Sequence, residues 1–389
     1  MTPAEIAAAA RGAGRLGLDT EFVGEGRYRT LLCLAQIAVP TDDGLQVEVL
    51  DTLDPELQPD PLREVLADPD VEVVLHAGRQ DVALLRRVWQ TEVRGVFDTQ
   101  VAAGFAGLRG QASYESLLRS MLGVRVGKTA SYTRWDARPL TEEQLSYARA
   151  DVVHLLALAD ALEAQLAARG RLEWAREECH PLEEATDERV PDELFERLPR
   201  IGGLDPKIRA VAREVASWRE ETASAADRPA NTILNDSALV EVARRRPSSR
   251  EALAHVRGLP AATLHRRTDE LLAAIERGRK RPPLPAEREP RSFPADEDAP
   301  LIALAEALIR GRALEEGLAY ELLATRAELQ ALVGSIRERR EEPLVRVLGG
   351  WRRELIGSEL LELLKGRRTL AVGPDGKLTI GALPADQRV

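Results

Sequence analysis

The chain has 389 residues, which at roughly 100–200 residues per domain predicts more than one domain. Hydrophobic residues make up 44% and charged residues 30% of the sequence, close to the average of folded soluble proteins, which excludes a fibrous or wholly disordered chain. The two cysteines, Cys33 and Cys179, exclude a disulfide framework, and no apolar run reaches the ~18 residues of a membrane span. We therefore expect a folded, cytoplasmic monomer with no membrane partner.

The net charge of −10 is unevenly distributed along the chain. Residues 197–281 carry 18 basic and 11 acidic side chains, a net charge of +7, whereas residues 1–172 carry 18 basic and 25 acidic side chains, a net charge of −7. One basic segment in an acidic protein favours local contact with phosphate groups. The alternative is the solvated surface of an arginine-rich helical bundle.

Short segments rich in apolar and β-branched residues alternate with helical periodicity in the first part of the chain. The predicted strands cover residues 15–22, 31–39, 46–51 and 71–76. The predicted helices cover residues 81–89, 98–108, 114–122 and 142–168. We interpret residues 1–172 as one mixed α/β domain whose first three strands form a meander.

The remainder of the chain is predominantly helical in its pattern. Residues 173–205 are acidic and are interpreted as a linker, and residues 206–281 predict a helical bundle. The proline-rich residues 282–300 predict a connector, because proline removes a backbone donor and interrupts helices. Residues 301–389 predict a second helical bundle that ends in a hairpin around Pro374-Asp375-Gly376.

Two carboxylates on the first predicted strand are the first candidates for chemistry. Asp19 and Glu21 are two residues apart, so they project from the same face of a strand. Two carboxylates that share a buried site need a cation, and Mg²⁺ or Mn²⁺ suits such hard oxygen ligands. The alternative is an exposed strand end with two solvated acids.

Three further residues extend this acidic set. Asp81 follows an apolar strand and should lie at the start of a helix, where the alternative to a metal ligand is an N-cap. Tyr147 and Asp151 are four residues apart on a predicted helix, so they share one face. The alternative for this pair is an ordinary helix surface with a half-buried tyrosine.

The segments around these residues resemble a known family. LGLDTEF, LCLAQIAV, VLHAGRQDVALL and WDARPLTEEQLSYARADVVHL are similar to ribonuclease D, in the tyrosine-bearing branch of the DEDD superfamily of 3′–5′ exonucleases. Residues 207–277 resemble the HRDC domain, and the last domain resembles a more divergent repeat of it. The resemblance covers nearly the whole chain in the domain order of the family.

This resemblance implies a fold, a metal site and an activity. The fold is an α/β ribonuclease H-like (DnaQ-like) exonuclease domain with a mixed sheet, followed by two all-α HRDC-type bundles. The implied ligands of two divalent metal ions, Mg²⁺ or Mn²⁺, are Asp19, Glu21, Asp81 and Asp151, and Tyr147 orients the attacking water. The implied reaction releases 5′-mononucleotides from RNA 3′ ends, and the implied substrates are tRNA precursors with single-stranded 3′ ends.

Further residues are candidates for contact with the substrate. Phe22 follows the acids and could stack on the terminal base, although a core role is equally consistent with its position. The basic candidates for phosphate contact are Lys128, Arg134, Arg138, Arg244, Arg245 and Arg246. We interpret His76 and His154 as structural, because the position of the water-orienting group in the family falls on Tyr147.

Two other functions remain open at this point. One is a 3′–5′ exonuclease that acts mainly on DNA, because nothing in these residues reads the 2′-hydroxyl that distinguishes RNA. The other is a non-catalytic nucleic-acid-binding protein on the same scaffold.

Overall fold

The computed structural model describes residues 1–108, 111–126, 134–286 and 296–382. Its N-terminal part contains a five-stranded mixed sheet with the strand order β3-β2-β1-β4-β5. The strands are β1 (Arg15–Val23), β2 (Leu31–Thr41), β3 (Gly44–Asp51), β4 (Glu72–Leu75) and β5 (Val96–Asp98). The first three form the antiparallel meander that the sequence predicts, and β4 and β5 run parallel to β1.

Helices cover both faces of this sheet. They are α1 (Pro3–Ala13), α2 (Asp60–Leu66), α3 (Arg79–Val88), α4 (Thr99–Phe105), α5 (Tyr114–Leu117), α6 (Glu142–Ala150), α7 (Leu155–Ala168) and α8 (Leu172–Glu183). Leu16 and Leu18 of β1 are fully buried against α1, α2 and α3. Because side chains alternate along a strand, Gly17, Asp19 and Glu21 face the other side, where α7 packs directly over Gly17.

The structure divides the helix predicted over residues 142–168. The helix α6 begins at a capping box between Thr141 and Gln144 and ends at Ala150, and α7 begins at Leu155 after a turn. The prediction of one continuous helix is wrong because apolar residues continue through the turn, where Val152 is fully buried. The short elements α1, α2 and β5 were not predicted.

The structure also differs from the predicted linker over residues 173–205. Its first part forms α8, which packs against β5 and α4 and fully buries Ala175 and Cys179 in the core of the α/β domain. The helix α9 (Pro191–Glu196) follows. A linker therefore begins only after α8, and the other domain bounds stay predictions.

The basic segment forms a helical bundle with a hydrophobic core of its own. Its helices are α10 (Pro206–Ala225), α11 (Ala230–Ile233), α12 (Asp236–Arg245), α13 (Arg250–Ala254), α14 (Ala261–Arg266) and α15 (Thr268–Lys280). The helices α10 and α15 approach so closely that a Cβ atom on Gly278 would lie 2.5 Å from the Cα atom of Val211. Glycine at this position therefore sets the packing of the bundle.

The last part of the described chain shares its core with the α/β domain. It contains α16 (Ala299–Glu316), α17 (Tyr320–Leu323), α18 (Arg326–Arg337), α19 (Gly350–Arg352), α20 (Ser358–Leu364), β6 (Arg368–Val372) and β7 (Leu378–Ala382). The Trp351 ring stacks on Trp174 at 4.9 Å and meets the edge of Phe105 at 5.2 Å. These contacts join the C-terminal helices to α4 and α8 in one apolar cluster.

The C-terminal helices repeat the order of the first bundle. In both, a long helix is followed by a four-residue helix and then by a medium-length helix. The C-terminal hairpin β6–β7 lies where the sequence predicts one. A second HRDC-type domain stays a prediction that this order supports.

Across the described ranges, every helix is too short or too polar to cross a membrane.

Candidate active site

Three of the predicted metal ligands converge above the sheet. Asp19 and Glu21 project from the same face of β1, and Asp151 lies where α6 ends. One carboxylate oxygen of each residue lies within 4.8 Å of those of the other two. Oxygen ligands at this spacing fit a hard divalent cation such as Mg²⁺ or Mn²⁺. The break between α6 and α7 thus places Asp151 next to a pair that is distant in sequence.

Asp81 approaches the same site from α3. It lies in the first turn of that helix, is 7% exposed and accepts a hydrogen bond from the Thr20 hydroxyl of β1. Asp81 is not the N-cap of α3, because the N-cap position is occupied by Gly78. The carboxylate of Asp98 instead accepts hydrogen bonds from the backbone N–H groups of Ala77 and Gly78 just before α3, at 3.1 and 2.8 Å.

The four carboxyl groups have raised pKa values because they are buried together. Burial raises the pKa of Asp151 to about 7 and that of Glu21 to about 8, and the charges of Asp151 and Asp81 add to the second shift. The pKa of Asp19 also lies well above its ordinary value, through burial and then the charges of its three acidic neighbours. Burial raises the pKa of Asp81 as well, against the opposing effect of the Thr20 hydrogen bond. A divalent cation would reverse this balance by favouring the ionised forms.

Tyr147 lies one helical turn before Asp151 and is half-buried. Its ring lies 5.9 Å from that of Trp135, in an apolar cluster that includes Leu34. Burial raises the pKa of Tyr147 to about 12, and the charges of Asp151, Glu21 and Asp19 add to the shift. The phenol therefore stays protonated at neutral pH, which suits a hydrogen-bonding role and excludes a free general base.

The other residues predicted to contact the substrate differ in the contacts that their side chains make. Phe22 is half-buried and packs against the core under α1 to α3, as its alternative role predicts. Arg138 forms a bidentate ion pair with Asp51 and donates to the Trp135 carbonyl at 2.7 Å, so its guanidinium already serves the fold. Arg134 is exposed and pairs with Asp136 at 3.0 Å. Lys128 lies outside the described residues.

The three arginines of the basic bundle lie at the C-terminal end of α12. Arg244, Arg245 and Arg246 are all exposed. Arg245 forms an ion pair with Glu241 one turn earlier on the same helix. Arg244 and Arg245 extend from a helical surface, and their role in binding RNA stays a prediction.

The sequence analysis did not identify two polar side chains that lie close to the acids, Tyr114 and Gln36. The Tyr114 hydroxyl is buried, and burial together with the charges of Asp151 and Asp19 raises the pKa of this phenol. Its ring lies 5.5 Å from that of His76, whose Nδ1 is 3.0 Å from the Thr99 hydroxyl oxygen. Burial lowers the pKa of His76, which fits the structural role predicted for it. The second missed side chain, Gln36, interrupts an apolar run, which was the only signal of it in the sequence.

Comparison with known protein families agrees with the fold. Residues 2–167 match the model of a 3′–5′ exonuclease family, and residues 209–275 match the HRDC domain. The chain is therefore a 3′–5′ exonuclease that carries an HRDC domain, and the predicted exonuclease fold with a helical C-terminal region is confirmed.

Whole-chain relatives narrow the assignment. Ribonuclease D of Granulibacter bethesdensis is 35% identical, with 92% of this chain and 89% of the relative covered. Ribonuclease D of Gluconacetobacter diazotrophicus is 34% identical with the same coverage of both chains. The crystal structure of Escherichia coli RNase D, described as an exoribonuclease involved in structured RNA processing, matches with a TM-score of 0.80 and 28% identity, covering 94% of this chain and 96% of that one. The chain belongs to the ribonuclease D family, and its activity is that of a 3′–5′ exoribonuclease.

Replacing Glu21 by Gln should stabilise the metal-free protein at alkaline pH. The pKa of Glu21 is about 8 in the folded protein against an ordinary value of 4.5, so the folded state retains a proton that the unfolded state releases between these values. Stability from this group is present below the ordinary pKa and is lost as the pH rises through about 8. We expect Glu21→Gln to raise the free energy of unfolding in urea above pH 8, with a difference that shrinks toward pH 5.

The exposed Glu56→Gln variant is the matched control, because it removes the same charge outside the acidic cluster. Its difference from the wild type should stay small across the same pH range. If Glu21→Gln stabilised the protein equally at every pH, the raised pKa of Glu21 in the folded protein would be wrong.

Proposed function

We propose that the protein uses two divalent metal ions, Mg²⁺ or Mn²⁺, held by Asp19, Glu21, Asp81 and Asp151, to hydrolyse RNA from its 3′ end. The observation that carries this proposal is the convergence of three carboxylates within 4.8 Å, with Asp81 hydrogen-bonded to the strand that bears two of them. Such a metal pair supplies an activated water and neutralises charge on the leaving oxygen. The product is a 5′-mononucleotide.

The protein's own residues position the metal ligands and orient the attacking water. Asp19 and Glu21 are fixed by the pairing of β1 with β2, and Asp151 is fixed by the end of α6. Tyr147, kept as a phenol by burial and by its acidic neighbours, donates or accepts a hydrogen bond at the attacking water and so orients it. No side chain in this scheme has to act as a free base.

The natural substrates we propose are tRNA precursors with single-stranded 3′ ends. The family to which the chain belongs supports this proposal, as does the description of the E. coli relative as an enzyme of structured RNA processing. The exposed arginines of the basic bundle supply the positive surface that the acidic exonuclease domain lacks. Contact through phosphates would be independent of sequence and sensitive to salt.

Asp19→Asn should strongly slow hydrolysis by removing the carboxylate that neighbours the other three acids. We expect the rate on a single-stranded RNA to fall by about 10²–10³-fold, the range for losing one group that stabilises charge in the transition state. The assay should use matched RNA and DNA strands with and without excess chelator. Activity that survives chelation, or an Asp19→Asn rate equal to wild type, would exclude the metal mechanism, and preferred cleavage of DNA would favour a DNA exonuclease.

Tyr147→Phe should slow hydrolysis while leaving metal binding intact. The variant keeps the ring contact with Trp135 and loses only the hydroxyl. We expect kcat to fall by about 10²-fold, the effect of misplacing a reacting group by about 1 Å. Mn²⁺ affinity, followed by electron paramagnetic resonance of the free ion, should stay close to wild type. A comparable loss of Mn²⁺ affinity would show that the tyrosine supports the ligands instead of the water.

The double variant Arg244→Ala/Arg245→Ala should weaken binding to a long structured RNA without changing kcat on a short oligonucleotide. Substitution is preferable to truncation, because removing the C-terminal helices would expose the core they share with the exonuclease domain. We expect the salt dependence of log K to become shallower by about 1 to 2 units per unit of log salt.

The control for this variant is Arg367→Ala/Arg368→Ala, which removes the same charge from two exposed arginines of the C-terminal part. Equal loss of affinity in both double variants would show that total charge, and not the basic bundle, determines binding.

A further inference from the structure

Gln36 of β2 is a polar residue in a fully buried position. The residue is 0% exposed, and both its Oε1 and Nε2 atoms are buried without a hydrogen-bond partner among the described residues. Buried side-chain amides are normally paired, because burial removes the water that would otherwise bind them. The other buried glutamine, Gln144, follows this rule, since its Oε1 accepts a hydrogen bond from the Thr141 backbone N–H at 3.0 Å. Gln36 therefore calls for a specific partner.

The strand register places Gln36 directly opposite Asp19. The two residues face each other in the antiparallel pairing of β1 with β2, so both side chains project from the same face of the sheet. The Cβ atoms of such pairs lie about 4.5–5.5 Å apart. The next pair on the same face of the sheet joins Glu21 to Leu34. Gln36 is thus the cross-strand neighbour of the acid at the centre of the proposed metal site.

The surroundings of Gln36 would suit an apolar side chain. Leu34 and Ala38, its neighbours on the same face of β2, are both fully buried. Leu34 packs in the apolar cluster that includes Tyr147. Ala38 packs in the cluster that includes Val152 and the first residues of α7. Gln36 therefore lies between these clusters, at the level of the turn that carries Asp151. Packing alone gives no reason for an amide at this level.

The chemistry of the site does supply a reason. An ionised carboxylate has about four lone-pair sites, and a cation leaves some of them free. Side chains behind a metal ligand commonly donate hydrogen bonds that fix its orientation. The Gln36 amide carries N–H donors and lies across the strand from Asp19. Asp19 gains acceptor strength when it is ionised, which is the form that binds a cation.

We propose that Gln36 is a positioning residue of the metal site, which donates a hydrogen bond from Nε2 to the Asp19 carboxylate when that carboxylate binds a divalent cation. The hydrogen bond fixes the direction in which Asp19 presents its oxygens. This inference rests on the proposed function, because it requires a cation at Asp19. Gln36 itself touches neither the substrate nor the metal.

The test uses the full-length Gln36→Met protein and Mn²⁺ as the probe. Methionine matches glutamine in length and removes only the amide. We expect Mn²⁺ affinity, measured by electron paramagnetic resonance of the free ion, to fall about 10-fold or more, as for other residues behind metal ligands. The thermal midpoint of the metal-free protein should not fall, because the amide has no partner there among the described residues.

The matched control is Leu34→Met, which changes a fully buried residue on the same face of the same strand. This control should keep wild-type Mn²⁺ affinity. Equal Mn²⁺ affinity of Gln36→Met and wild type would overturn the proposal. So would a Gln36→Met protein that folds poorly without metal, because the amide would then serve the metal-free fold.

Asp19→Asn in the same titration separates this inference from the proposed function. If Asp19→Asn binds Mn²⁺ as tightly as wild type, the metal site itself is wrong. If Asp19→Asn loses Mn²⁺ and Gln36→Met does not, the metal site stands and only the role of Gln36 fails.

Discussion

The mutual repulsion of four carboxyl groups is the constraint on which this site depends. Burial opposes the ionised forms of Asp19, Glu21, Asp81 and Asp151, and neighbouring negative charge adds to this effect at the first three, so the fold has to hold these groups together against a free-energy cost. The central strand β1 does this through pairing on both sides, with β2 and with β4. Bound cations would offset this repulsion. The ionised cluster is therefore unfavourable without a metal ion and favourable with one.

The sequence predicts those parts of the site that depend on local geometry. The two-residue spacing of Asp19 and Glu21 and the four-residue spacing of Tyr147 and Asp151 are properties of one strand and one helix, and both hold in the structure. Features that depend on long-range pairing could not be predicted. The role of Gln36 depends on strand register, and the pairing of Arg138 with Asp51 joins residues distant in the chain.

The helical parts of the molecule differ in how they attach to the exonuclease domain. The C-terminal helices share an apolar core with it through Trp351, whereas the first bundle has a separate core, against which Tyr28 of the exonuclease domain packs. Tyr28, in the loop after β1, donates to Glu220 of the bundle at 3.1 Å, and Arg189 donates to the same carboxylate at 2.9 Å. The sequence did not predict the contacts of Trp351 with the exonuclease domain. A tryptophan buried inside one bundle and a tryptophan buried between two units have the same apolar neighbours in the sequence.

The position of Tyr28 connects this attachment to catalysis. The strand β1 carries Asp19 and Glu21, and the loop that follows it carries Tyr28 into the basic bundle. A polyanionic RNA is repelled by an acidic domain with unloaded carboxylates and attracted by the arginines of the bundle. In the proposed function, the bundle would bind phosphates of the RNA while the 3′ end of the RNA reaches the acids. In the proposed function the two opposite charges would act at different points of the substrate, the bundle on its backbone and the cation-loaded carboxylates on its terminal phosphodiester.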